Sequence, residues 1–242
     1  MATKKTPANK STSKKKVDKS NSSIKKTAKK VVKEKKVTLA SNKKVNAISY
    51  QEVKIGNQIW MAKNLDVTHF RNGDPISEAK SNEEWIKAGE KKHPAWCYYD
   101  NDPMNNEKYG KLYNWYAVND PRGLAPEGWQ IPSEDDWSIL KDDLGGETVA
   151  GKKMKFTDFW NDYIGKSSGN GTNESGFSGL PGGHRSTDGV FRYIGEEGYW
   201  WSSNYGGTNG AWVYSLSYGN DRLFRDGNDK LEGQSVRCLK SK

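Results

Sequence analysis

Every aromatic residue and every glycine of this chain lies beyond residue 49: 10 Trp, 12 Tyr, 6 Phe and 25 Gly. A backbone folds only where side-chain burial offsets an ordering cost of about 1–2 kcal/mol per residue. The first 46 residues offer almost nothing to bury. They hold 16 Lys against Asp18 and Glu34, a net of +14. Two domains are therefore expected: a disordered Lys-rich tail over 1–46 and a folded body over 47–242. The formal charge of +9 divides accordingly, because the 23 basic and 28 acidic residues after the tail leave the body at −5. A uniformly basic domain is excluded. No apolar run approaches the roughly 20 residues of a membrane helix.

The tail starts basic, but no apolar core of the length a secretory signal needs follows, nor a Cys after a short apolar run. The expected location is the cytoplasm. Fourteen net charges on a flexible chain favour phosphate neutralisation with counterion release, and DNA or another polyanion is the expected partner. The residues for that contact are Lys14, Lys15, Lys16, Lys25, Lys26, Lys29, Lys30, Lys33, Lys35 and Lys36. The tail contains no Arg, so bidentate reading of base edges is not expected and binding should be salt-sensitive and weakly selective. A solubilising linker and an anionic-membrane contact are the competing readings.

In the body, QEVKI and QIWMA flank Gly56–Asn57 and predict a hairpin over 51–62. Trp60 and Ile59 then face opposite ways, which requires both faces to be covered or a bulge. Ser81 and Glu84 predict a capped helix near 82–90. Tyr109, Leu112, Tyr113 and Tyr116 fit a short amphipathic helix. IPSEDDWSILKDDLGG at 131–146 is the clearest local signal. Ser133 is its N-cap, Asp136 closes a capping box, and Trp137, Leu140 and Leu144 form one stripe. Gly, Ser and Asn dominate 165–189 and predict long loops. Strand patterns follow at 190–193, 198–203, 211–218, 221–225 and 234–239. The pattern is α+β with antiparallel pairing, and Trp96, Trp115, Trp129, Trp160, Trp200 and Trp201 are expected in the core.

The stretches IGNQIWMAKNLD, YGKLYNWYAV, GLAPEGWQIPSEDDW, GFSGLPGGHRS, GYWWSS and SVRCL together resemble the Fibrobacter succinogenes major paralogous domain family, over about 50–240. The resemblance implies a C-type-lectin-like scaffold, shared with the formylglycine-generating sulfatase-modifying group. That scaffold would place two or three short helices on a twisted, loop-rich antiparallel sheet, with Gln58–Ala62 beside Val236–Leu239. Many members look secreted or lipid-anchored, whereas no signal peptide is expected here, and the Lys-rich tail, similar in composition to linker-histone-like tails, is no part of the family domain.

Site chemistry is sparse. Cys97 and Cys238 have no neighbouring Cys, which removes the paired-thiol oxidase reading, and both are expected to be reduced and buried. GxSxG and GxxxxGK[ST] are absent, and no cofactor is expected. Asp100, Asp102, Asn105 and Glu107 are oxygen-rich enough to be weak calcium candidates, but Asn and Asp also build turns. Trp160–Asn161–Asp162 matches a lectin calcium triplet at the wrong place in the chain. The best binding surface is the GGHR loop with the strands beyond it. His184, Arg185, Arg192, Arg222 and Arg225 would supply donors there, and Tyr205, Tyr214 and Tyr218 would supply faces for a carboxylate, a glycan or a protein loop. The expected function is a non-catalytic recognition or structural module with a polyanion-binding tail. The alternatives are a nucleoid-associated DNA-binding protein and an enzyme using the 184–225 surface.

Overall fold

A computed structural model describes residues 49–165, 168–208 and 210–241, all within the second of two units, Ile48–Lys242. The tail, with the ten lysines proposed for polyanion contact, lies outside the described residues. The body opens with the expected hairpin, β1 (Glu52–Ile55) and β2 (Gln58–Met61), turning at Gly56–Asn57 in regular register. Both faces are covered: Trp60 enters a cluster with Trp137 and Phe177, while Met61 enters another with Tyr113 and Trp201. Next come β3 (Ser77–Glu78), α1 (Asn82–Glu90) and β4 (Ala95–Cys97). Ser81 caps α1 by accepting from Glu84 N–H.

The segment read as one helix around Tyr109–Tyr116 is three elements: α2 (Asn106–Tyr109), β5 (Leu112–Asn114) and α3 (Trp115–Val118). Gly110 at φ +72° ends α2. Leu112–Asn114 then lies between two strands, with Tyr113 opposite Trp96 on one side and Gln234 on the other. Sheet pairing overrides a helical spacing of apolar residues here.

β6 (Trp129–Gln130) leads into α4 (Glu134–Asp143), whose capping box is complete. Its Trp137–Leu140–Leu144 stripe is buried. A further helix, α5 (Glu147–Met154), follows. The sequence concealed it because Gly151 interrupts its pattern, yet a Cβ at Gly151 would strike the backbone at Arg222. Five α-helices thus replace the expected two or three among the described residues. The remaining strands are β7 (Gly182–Arg185), β8 (Phe191–Ile194), β9 (Glu197–Tyr205), β10 (Gly210–Ser217), β11 (Phe224–Asp229), β12 (Gly233–Gln234) and β13 (Leu239–Lys240).

The strands form one four-stranded sheet, β1-β2-β13-β6, and one larger sheet, β11-β10-β9-β7-β12-β5-β4-β3, with β8 beside β7. The pairing is mixed rather than wholly antiparallel: β3–β4 and β7–β9 run parallel. The expected neighbourhood of early and late strands is present. Leu239 sits opposite Trp60, Met61 N–H donates to Cys238 O, and Leu65 N–H donates to Val236 O.

All six Trp assigned to the core are buried. Their indole N–H groups also join distant segments: Trp96 donates to Ile76 O, Trp160 to Gly179 O, Trp200 to Asn64 Oδ1 and Trp201 to Tyr113 O. Large rings with one polar atom suit a loop-rich fold, because a single residue both fills volume and anchors a distant backbone. No helix among the described residues is long and apolar enough to cross a membrane.

Candidate functional site

The eight residues proposed around GGHR fall into separate groups: His184 sits opposite Arg192 across β7–β8 and Tyr214 opposite Arg225 across β10–β11, while the others meet different partners. Gly182–Arg185 is the buried strand β7 and not a loop: Gly183 lets the backbone of Arg192 and Ile194 approach closely, and Gly182 faces the Tyr109 ring. Arg185 is wholly buried and donates to Gly189 O, Ala79 O, Asn101 Oδ1 and Asn82 Oδ1, with Trp85 and Phe191 on its faces. Arg192 pairs with Asp188, Arg222 with Glu147 and Arg225 with Glu134. Tyr214 is buried in a stack on Trp137, Tyr218 meets Tyr163 edge-on, and Tyr205 lies on Trp115. Each of these groups is thus engaged within the protein.

The oxygen-rich run at 100–107 serves local turns. Asp102 accepts from Met104 N–H, Asn105 donates to Tyr99 O, and Asp100 and Asn101 adopt positive φ. Among the described residues, no group of three His, Cys, Asp or Glu is placed to hold a metal ion. Cys97 and Cys238 are free and buried. Burial pushes both thiols up to about 12, so neither is a ready nucleophile.

A different place gathers chemistry. The open end of the β1–β2 hairpin and the segment 156–180 enclose a cleft of about 570 Å³. Gln51, Val53, Ala62 and Asn64 line the hairpin side, and Phe156, Phe159, Ser178 and Leu180 the other. Lys63, Lys108 and Arg237 also line it. A side cavity shares Lys63, Asn64 and Lys108 and adds Asp66 and Glu107. Asn64 is the hub. Its Oδ1 accepts from Trp200 Nε1 at 2.8 Å and from Arg237 Nε and Nη2 at 3.0 and 2.7 Å, while its Nδ2 donates to Tyr109 O. Arg237 Nη1 donates to Met61 O and Phe177 O. Burial pulls the Arg237 guanidinium down to about 9, still well above neutrality, so it keeps its charge. The cleft wall is thus rigid.

Its rim is exposed. Phe159 is 44% exposed at φ +76°, its ring parallel to Phe156 with centroids 6.1 Å apart. Lys108 Nζ lies 3.3 Å above the Phe159 centroid.

Residues 53–240 match the family model described as Fibrobacter succinogenes major domain. The chain belongs to this family. No curated protein and no solved structure matches it. The Fibrobacter succinogenes major domain includes both halves of the cleft, since Lys63, Asn64, Lys108, Phe156, Phe159 and Arg237 all fall inside the match, and the Lys-rich segment falls outside it. Sequence reasoning passed over these residues. The available signals were an Arg flanked by apolar Val236 and Cys238 in a closing strand, and a Phe pair in a polar segment.

His184 of the domain makes a pH signature. Its ring lies against Tyr193 and Tyr199, and Nδ1 is buried with no hydrogen-bond partner. Burial first, then the nearby Arg192 charge, pulls it from 6.5 to about 4. Its neutral form is favoured by folding, so its contribution is complete above about pH 6.5 and is lost as pH falls toward 4. His184→Phe removes that slope. Its stability should fall less steeply than the parent's across this interval when denaturant midpoints are compared at successive pH values.

Proposed function

We propose that the folded body is a non-catalytic recognition module whose ligand occupies the cleft between the β1–β2 hairpin and the 156–180 segment. The carrying observation is the contrast between its buried, hydrogen-bonded wall, Asn64–Arg237–Trp200, and its exposed rim, Lys63, Lys108 and Phe159, which makes no ion pair among the described residues. Small-molecule sites typically have volumes of about 300–1,000 Å³, mostly apolar walls and a few fixed polar groups. A non-catalytic reading is favoured because the two thiols are buried with their thiolate forms suppressed and the buried His184 Nδ1 meets no partner that could relay a proton. The pairing of β2 with β13 supports a lectin-like scaffold, in which first and last strands close the domain.

A second reading concerns the tail. The +14 segment favours a polyanion such as DNA, held by Lys14–Lys16 and the lysines of 25–36, with the body carried along. One experiment tests both. Isotope-labelled full chain is titrated first with a small-molecule library and then with duplex DNA, and amide shifts are read by residue. Library hits are expected to move residues 51–53, 62–64 and 176–180. DNA is expected to move 14–36 in a salt-sensitive manner and leave the cleft unchanged. Library hits that map only outside the cleft would refute the first reading, and DNA shifts confined to 49–241 would refute the second.

A further inference from the structure

The charge of the cleft runs against that of its domain. Residues 47–242 carry a net of −5, yet the cleft is lined by Lys63, Lys108 and Arg237 against one acid, Glu52, while Asp66 and Glu107 line the adjoining side cavity without pairing with either lysine. Glu52 is already neutralised by Lys240 Nζ at 2.6 Å. Lys63 and Lys108 meet no carboxylate among the described residues, and Lys108 rests on aromatic rings instead. Arg237 is the more telling group. It is 1% exposed, and each of its hydrogen bonds ends on a neutral oxygen, from Asn64, Met61 or Phe177. A full charge held only by dipoles leaves a positive potential directed at whatever lies above it, and low-dielectric walls strengthen that field.

The second component is shape. Phe156 and Phe159 present rings within 11° of parallel, and Val53 and Leu180 extend the apolar surface. Phe159 contributes while remaining largely outside the core, in a left-handed backbone conformation that costs a non-glycine residue energy. Core packing does not account for an exposed aromatic ring held that way.

Resting on the recognition reading above, the geometry points to an amphipathic anion as the ligand: a carboxylate or phosphate group on a flat apolar body. Its charged end lies between Lys63 and Lys108, and its body lies against Phe156 and Phe159. Lysines supply movable point charges suited to either headgroup, and the ring pair selects for flatness.

The probes are hydrocinnamate, phenyl phosphate and hydrocinnamamide, titrated at low and high salt into labelled full chain. The two anions are expected to shift amides at Lys63, Lys108, Gly176 and Ser178. The uncharged amide should bind about tenfold more weakly or worse, the scale of one lost charge-assisted contact. The relative affinities of the two anions identify the headgroup. The Lys63→Gln/Lys108→Gln double variant should keep its thermal midpoint, because both side chains are exposed, and should lose the preference for anions. Equal binding of acid and amide at the cleft would overturn the charge assignment and leave the recognition reading standing. Anion shifts confined to lysines of 1–46, or no shift at the cleft with any probe, would overturn both.

Discussion

Replacing Arg237 by Met is expected to destabilise the folded body by about 4 kcal/mol, summing two orphaned carbonyls and a weakened hub at about 1–3 kcal/mol each against relief of a lone buried charge. The acceptors left behind are Met61 O and Phe177 O, both inside the structure, and Asn64 Oδ1 keeps only Trp200. Relief of the charge does not win, because the guanidinium makes four hydrogen bonds and also lies 4.4 Å from the Phe177 ring centroid. For a body of this size the midpoint of thermal unfolding should drop by roughly 8–16 °C. Arg237→Lys should recover little, since one ammonium cannot span the same oxygens. A double-mutant cycle with Asn64→Ala should give a coupling above about 1 kcal/mol, because the two side chains share bonds. A variant as stable as the parent would show that the network contributes nothing net.

Gly183→Ala is expected to cost about as much, roughly 4 kcal/mol, for a different reason: a left-handed backbone costs about 1–2 kcal/mol for an L-residue and overpacking about 1–3 kcal/mol more. Gly183 sits at φ +60° in β7, and a Cβ there would run into the backbone at Arg192 and Ile194 and the ring of Tyr99. Two of these three neighbours are main chain and cannot swing aside. Its Cα also sits opposite Gly198 in the parallel β7–β9 pairing. Chemical denaturation should show the loss as a lower midpoint with an unchanged slope. The neighbouring Gly182→Ala, whose Cβ would meet only the movable ring of Tyr109, should cost much less.

The contrast between these positions shows where sequence reasoning works in this domain. α4 was legible because its determinants are local: Ser133 and Asp136 close one turn, and Trp137 and Leu140 follow at helical spacing. The hairpin was legible for the same reason. β5 was not, because Leu112 and Tyr113 obey a helical spacing, and the strands that claim them begin at Ala95 and Gly233. β7 was misread because paired glycines usually mark loops, whereas here they permit close packing in the middle of a sheet. The four arginines of 185–225 looked like a donor cluster on paper. Their places on separate elements, each with a different partner, disperse them. The cleft was invisible for a related reason. Its residues come from four distant stretches between Gln51 and Arg237, and no spacing rule joins them.

The clasp of β2 and β13 carries a kinetic consequence. Trp60 emerges early in synthesis and its partner Leu239 last among the strands, so the central position of the smaller sheet stays vacant while nearly all the intervening chain is made. Closing so large a loop is slow because the entropic cost precedes any reward. Until then the nascent hairpin exposes an open edge and a bare indole.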